Sequence, residues 1–203
     1  MIGILGGTFD PPHIGHLAIA HAAFDQLALS QILLMPAGDP WQKSGGDVAS
    51  AADRLAMVEL AAATAVHFAS DDREMRREGP TFTIDTVASL DEDAVIILGA
   101  DAAVGVAGWH RGDDLIAATR FAVIPRTGIE RSQVPEVLGD RFRWVEMPVI
   151  DISSSDIRAH VAAGHDPRFL VPDSVAAYIG ARGLYRSSAP SADHLVPIIG
   201  LDE

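Results

Sequence analysis

Gly6-Gly7-Thr8-Phe9-Asp10-Pro11-Pro12-His13-Ile14-Gly15-His16 follows an apolar run, Ile2 to Leu5, and leads into a pattern with Leu17, Ala20, Phe24 and Leu27 on one face. The run predicts a β-strand and the pattern an amphipathic helix. The string between them is therefore a tight strand-to-helix connection. Gly6 and Gly7 carry no Cβ and let the backbone come close to a ligand. Pro11 and Pro12 stiffen the loop and keep the helix from starting early. His13 and His16 lie one helical turn apart and can face the same spot. That spot is a helix N-terminus, whose free N–H groups and partial positive charge suit an anion such as phosphate.

A plain βα turn with two solvated histidines would account for a lone Gly-Gly or a lone His-x-x-His. The whole string is more specific. It resembles the signature of the nucleotidyltransferase superfamily, which carries His-x-Gly-His after its first strand. Within that superfamily it is most similar to the nicotinate-mononucleotide adenylyltransferases. Two standard phosphate loops are missing: there is no Gly-x-x-x-x-Gly-Lys-Ser/Thr, and no Gly-x-Gly-x-x-Gly follows a strand.

A second string, Ile152-Ser153-Ser154-Ser155-Asp156-Ile157-Arg158, opens a helical pattern that runs through Val161 to Gly164. Ser153 and Asp156 can cap that helix. Three hydroxyls and free N–H groups at a helix start make an anion site. Arg158, one turn in, can point a forked donor array at the same anion. A well-capped helix with a solvated arginine is the alternative. The string resembles the superfamily's second motif, Ile-Ser-Ser-Thr-x-Ile-Arg, with Ser155 replacing Thr and keeping the hydroxyl.

Composition narrows the function classes. The chain has 203 residues, 48% of them hydrophobic, which suffices for a buried core and excludes intrinsic disorder. Its apolar runs are too short for a membrane span, and no basic-then-apolar leader pattern opens it. There are no cysteines, so neither a disulfide scaffold nor a thiolate metal site can form. A formal net charge of −13 argues against a nucleic-acid binder, which needs a basic footprint. A cytoplasmic enzyme fits all of this, with no nucleic-acid partner and no membrane; homo-oligomerisation stays open.

Between the motifs the chain alternates. Strands are expected at 31–35, 66–69, 94–98, 120–124 and 141–147. Helices are expected at 50–64, with Leu55, Val58 and Ala62 on the apolar stripe, from 81 onward, and at 173–182. Residues 71–80 read as a surface loop. The run Ala94 to Leu98 is continuously apolar, as in a parallel strand buried on both faces. The predicted fold is α/β: a doubly wound, Rossmann-like parallel sheet of five to six strands flanked by helices. Residues 1–186 are expected to form a single domain and 187–203 a tail.

Several residues sit at expected strand ends, where open α/β sheets place ligands. Lys43 lies in the loop that starts at Pro36. Gly99 and Asp101 follow the central strand; Asp101 could serve a ribose or a metal, or cap the next helix. Trp109 and His110 lie in a linker, and Arg126 follows the strand ending at Ile124.

The resemblance implies an activity and a set of roles. The activity is transfer of AMP from ATP to nicotinate mononucleotide, with Mg²⁺ accompanying ATP, giving deamido-NAD and pyrophosphate. His16 would face the α-phosphate and His13 the neighbouring phosphates, with Gly6, Gly7, Thr8 and Phe9 forming the loop. Ser153, Ser154 and Arg158 would hold the β/γ end, and Lys43 would lie near the phosphates. Ile152, Gly99 and Asp101 would lie near the nucleotide. Thr83, Trp109, His110 and Arg126 would serve the acceptor. No residue is assigned as a metal ligand. The charge state of His16 is open, since the helix dipole disfavours imidazolium and bound triphosphate favours it. Alternatives are another small adenylyl- or cytidylyltransferase such as the phosphopantetheine enzyme, a class I aminoacyl-tRNA synthetase fragment, and a non-enzymatic nucleotide sensor.

Overall fold

The strands β1 (Ile2–Gly7), β2 (Ile32–Pro36), β3 (Phe68–Ser70), β4 (Ala94–Gly99), β5 (Arg120–Ile124) and β6 (Phe142–Trp144) form one parallel sheet in the order β3-β2-β1-β4-β5-β6. The structure is a computed structural model that describes residues 1–38 and 48–186. The doubly wound parallel sheet expected from the sequence is therefore present, with six strands. The chain builds outward from β1 to β3, then returns to lay β4 against the other side of β1. That reversal puts the topological switch point at the carboxyl ends of β1 and β4, where this architecture opens a crevice.

Period-two alternation decides which side chain enters which core. Leu5, Ile32, Leu34, Val95, Ile97, Ala122 and Ile124 face one layer, with Ala20 and Ala23 of α1 (Ile14–Gln26). Ile2, Ile4, Ala94, Ile96, Phe121 and Val123 face the other. That second layer is covered by α3 (Thr83–Ala88), α4 (Ala100–Ala103), α5 (Gly112–Ala118) and α6 (Gln133–Leu138). A third cluster joins Met57 and Ala61 of α2 (Ala51–Ala62) to Ile157 and Val161 of α7 (Ser154–Ala162) and to Val175 and Ile179 of α8 (Asp173–Arg182). This cluster clamps the second motif against the first.

The expected caps are present. Ser50 Oγ accepts from Asp53 N–H at 3.1 Å, and Ser153 Oγ accepts from Asp156 N–H at 3.1 Å.

Other expectations are corrected. β3 starts at Phe68, and Val66 is fully exposed before it. β6 ends at Trp144 rather than 147. Val145 N–H still reaches the Val123 carbonyl, but Glu146 N–H is drawn off to Gln26 Oε1. Val58 and Ala62 lie on the buried face of α2 as expected, but Leu55 is half-buried and the face widens instead to Asp53, Arg54, Met57 and Ala61. Residues 71–80 are the surface loop expected, and side chains tie it to α3: Arg77 donates to Thr86 Oγ1 at 2.9 Å, and Thr86 donates to Glu74 Oε1 at 2.7 Å. The helices α4, α5 and α6 are additions, each too short for a 3.6-residue period to show in sequence. Gly99, not Asp101, caps α4. The expected roles of Lys43 and of 187–203 lie outside the described residues. No helix among the described residues is long and apolar enough to cross a membrane.

Candidate active site

The loop from β1 to α1 is held by its carbonyl oxygens. Ala37 N–H donates to the Gly7 carbonyl at 2.9 Å. Arg54 Nη1 donates to the Thr8 carbonyl at 3.0 Å and to the Ala37 carbonyl at 2.8 Å, and its Nη2 reaches the Gly38 carbonyl at 2.9 Å. Arg158 Nη1 donates to the Asp10 carbonyl at 2.9 Å, and Ser154 Oγ donates to the Pro11 carbonyl at 2.9 Å. In a trans peptide the carbonyl and the next N–H point opposite ways. Pinning the Gly7 carbonyl thus turns the Thr8 N–H away from the end of β2, and pinning the Thr8 carbonyl turns the Phe9 N–H away from Arg54 of α2. Pro11 and Pro12 have no N–H, so the main-chain donors of the loop before His13 all lie ahead of them. The two sequence motifs are therefore one braced unit.

Phe9 takes a positive φ of 49°, and its ring is buried, edge-on to His16 with centroids 4.8 Å apart. Its ring supports His16; only its backbone is left for a ligand.

His13 is the N-cap of α1, and its main-chain N–H donates to Nδ1 of His16 at 3.2 Å. The two rings overlap with centroids 3.7 Å apart. An Nδ1 that accepts a bond cannot carry a proton, so His16 is neutral with its hydrogen on Nε2. The electrostatics agree. Burial, then His13 and Arg126, lower His16 to about 3. Burial, then Arg126, lower His13 to about 4. Gly15 matters here for space rather than for φ: a Cβ would lie 3.0 Å from His13 Nδ1, so the ring would have to shift.

Arg126, at the end of β5, faces Asp101 at 3.9 Å. A Cβ on Gly99 would stand 3.0 Å from Arg126 Nε and strike Asp101 Oδ1, so Gly99 lets that pair sit over the strand end. Gly15, Ile19, Arg126, Thr127, Val149 and Ile150 line a cleft of about 380 Å³ beside the histidines. The structure thus assembles Gly6, Gly7, Thr8, His13, His16, Ser154 and Arg158 as one unit. Gly99, Asp101 and Arg126 meet at the ends of β4 and β5. Ser153 serves as the cap of α7, and Ile152 packs on the third cluster.

Thr83 is the first residue of α3. Phe82, just before it, stacks on His110 with centroids 3.9 Å apart and planes 23° from parallel. Trp109 is half-buried against the second core layer, so the exposed ring at this place is His110.

Comparison with known proteins places this geometry. The Cytidylyltransferase-like family model matches residues 4–160. A "probable nicotinate-nucleotide adenylyltransferase" from Geobacillus thermodenitrificans is 41% identical, covering 95% of this chain and 89% of its own. One of the same description from Acidothermus cellulolyticus is 36% identical over 91% of this chain and 94% of its own. The chain belongs to the nicotinate-nucleotide adenylyltransferase family. Solved structures of Plasmodium falciparum nicotinic acid mononucleotide adenylyltransferase, complexed with APC and with NaAD, share the fold. Each has a TM-score of 0.71 over 91% of this chain and 96% of that one, at 18% and 19% identity.

For a nicotinate-nucleotide adenylyltransferase, the residue that sequence reading missed is Arg54. It is 1% exposed, and its guanidinium ties the loop after β1 to the loop after β2. One signal was available. Arg54 stands four residues before Val58 and so lies on the buried stripe of an Ala-rich helix. A charge there needs polar partners.

Proposed function

We propose that the chain joins ATP and nicotinate mononucleotide into deamido-NAD and pyrophosphate. Nicotinate-nucleotide adenylyltransferase relatives at 36–41% identity support the overall reaction. The roles below rest on one observation: a neutral His16 is fixed by the His13 N–H beside a braced loop at a helix N-terminus.

A 5′-phosphate oxygen of the mononucleotide attacks the α-phosphorus of ATP. A new P–O bond forms, the bond to the bridging oxygen breaks, and its electron pair leaves on pyrophosphate. The attacking phosphate is already anionic, so no strong base is needed. What the reaction demands is in-line placement and stabilisation of developing charge. His16 Nε2–H supplies a neutral donor to the α-phosphate oxygen, and His13 and the Thr8 and Phe9 N–H groups serve the neighbouring oxygens. Arg158 has donors beyond the one that holds the Asp10 carbonyl and takes the β/γ end. The Ser153 hydroxyl donates to Asp156 Oδ2 at 2.6 Å and the Ser154 hydroxyl to the Pro11 carbonyl, so these serines contribute through main-chain N–H groups at the start of α7. Mg²⁺ enters with the nucleotide as MgATP. The cleft beside Arg126 takes the adenosine side, near Asp101 and Gly99, which moves Arg126 from the acceptor set expected from the sequence to the ATP side, because it pairs with Asp101 at 3.9 Å. The Phe82–His110 stack and Thr83 take the pyridine ring. The reaction belongs in the cytoplasm, with the ATP pool.

The test is pyrophosphate release from ATP with a panel of acceptors. Nicotinate mononucleotide should support release, and phosphopantetheine, glycerol phosphate, or an amino acid with tRNA should not. Release with one of those and none with nicotinate mononucleotide contradicts the proposal.

A further inference from the structure

Tyr185 lies beyond the end of α8, in a turn where Gly183 has φ 63° and Tyr185 itself φ 62°. It belongs to neither motif. Its hydroxyl nevertheless donates to Asp10 Oδ1 at 2.7 Å, 175 residues back in the chain. Asp10 is completely buried. The same Oδ1 accepts from Ala49 N–H at 3.1 Å, just ahead of α2. The other oxygen, Oδ2, has no hydrogen-bond partner among the described residues and faces Arg158 Nη1 at 3.6 Å. Arg158 meanwhile donates from that Nη1 to the Asp10 main-chain carbonyl and from Nη2 to Ser155 Oγ at 3.3 Å.

Two donors on one carboxylate oxygen fix the rotation of the group. So fixed, Asp10 attracts Arg158 through charge but does not take its hydrogen bonds. A carboxylate free to turn would accept from the guanidinium directly, because charge-assisted pairs of this kind are short and strong. The donors of Arg158 would then be spent on Asp10. Burial first, then the bond to Asp10, raises the Tyr185 phenol far above its usual range, so its hydroxyl stays a donor at every working pH.

We infer that Tyr185 is a positioning residue of the adenylyl-transfer site. By fixing Asp10 it keeps the Arg158 guanidinium aimed at the leaving end of ATP, which makes the turn after α8 part of the site. The inference rests on the phosphate role proposed above for Arg158.

Tyr185→Phe removes only the hydroxyl. Tyr178→Phe is its control: Tyr178 is on α8, donates to Asp53 Oδ1 at 2.9 Å, and hydrogen-bonds to no atom of the loop. Thermal unfolding reports the stability of both variants. Tyr185→Phe should raise KM for ATP by roughly threefold to tenfold, the size of one ordinary net hydrogen bond, because the variant costs Arg158 its aim and not its charge. KM for nicotinate mononucleotide should stay within about twofold, and Tyr178→Phe should leave both constants unchanged. An unchanged KM for ATP in Tyr185→Phe, an equal rise for both substrates, or the same rise in Tyr178→Phe overturns the inference. Calorimetric binding of ATP alone separates this from the functional reading. A wild type that binds ATP but transfers nothing defeats the reading, and the Kd of Tyr185→Phe for ATP still decides the inference.

Discussion

The main-chain N–H of His13 donates to Nδ1 of His16 across 3.2 Å, and that bond settles which nitrogen of His16 can face a phosphate. With Nδ1 occupied as an acceptor, Nε2 carries the hydrogen. Protonating Nδ1 would break the bond and place a charge in a buried pocket beside His13 and Arg126. His16 is therefore a neutral donor, and the charge state left open by the sequence is resolved for the free protein.

That neutrality has a pH signature. Both histidines have folded values, about 4 for His13 and about 3 for His16, below the ordinary value of 6.5. Between these limits the unfolded chain binds more protons than the folded one. Stability from this pair is therefore present above pH 6.5 and is lost as pH falls from 6.5 through about 4 for His13 and about 3 for His16. Urea unfolding should show a drop on the order of a few kcal/mol over that window. His16→Gln should flatten the slope. A long-range ¹H–¹⁵N spectrum should show His16 as the Nε2–H form down to pH 5; an imidazolium signal at pH 6 contradicts the tautomer.

Gly15→Ala should harm turnover more than folding. Its Cβ would sit 3.0 Å from His13 Nδ1, tighter than ordinary contact, so the His13 ring must move. Alanine otherwise favours the helix by roughly 1 kcal/mol over glycine. A melting temperature equal to or above wild type, with kcat lowered by about tenfold or more, is the expected pair of results, since small misplacements cost that much. Unchanged kcat would show that His13 does not need its present position.

Arg54 should be a stability residue with a kinetic echo. Arg54→Met deletes the donors to three carbonyls in two loops. Breaking a buried charged network costs about 3–5 kcal/mol. The variant should unfold at much lower urea concentration and show a raised KM for ATP, because the Thr8 carbonyl is no longer held. Arg54→Lys, which keeps the charge but not the fork, should recover only part of each. Wild-type KM in a folded Arg54→Met protein would mean that the loop holds itself.

Acceptor choice turns on one group, a carboxylate against a carboxamide. A ring stack alone cannot separate the two. Donors near Thr83 at the start of α3 can, because an amide leaves one of them unpaired at a cost of roughly 1–3 kcal/mol in a dry site. The kcat/KM for nicotinate mononucleotide should exceed that for nicotinamide mononucleotide by at least about tenfold. His110→Ala should weaken both, since His110 rather than Trp109 is the exposed ring. Equal kcat/KM values for the two substrates in the wild type would contradict this assignment.

The sequence made the main frame legible because its signals are strong at the needed length. Ala94 to Leu98 is an uninterrupted apolar strand, and Ser50 and Ser153 each stand three residues before an aspartate that completes a cap. Helices of four to seven residues, such as α4 and α5, carry no readable period. Within the site, His13 and His16 could be placed because a helix fixes their spacing. The partners of Arg158 could not. Arg158 and Asp10 are 148 residues apart, and it is tertiary packing, with the third core cluster setting α7 against α2, that brings them together. The half-burial of Trp109 was not legible either: a 3₁₀ turn, Val106–Gly108, too short to show a period, sets its ring against the core.

His16→Ala, measured by pre-steady-state and steady-state pyrophosphate release together with equilibrium ATP binding, tests the central claim most directly. The claim is that a neutral Nε2–H stabilises charge developing on the α-phosphate. Losing one such donor typically lowers kcat by about 10²–10³. The account predicts that loss, with the Kd for ATP changed by less than about threefold. A folded His16→Ala protein that turns over at close to the wild-type rate would contradict it.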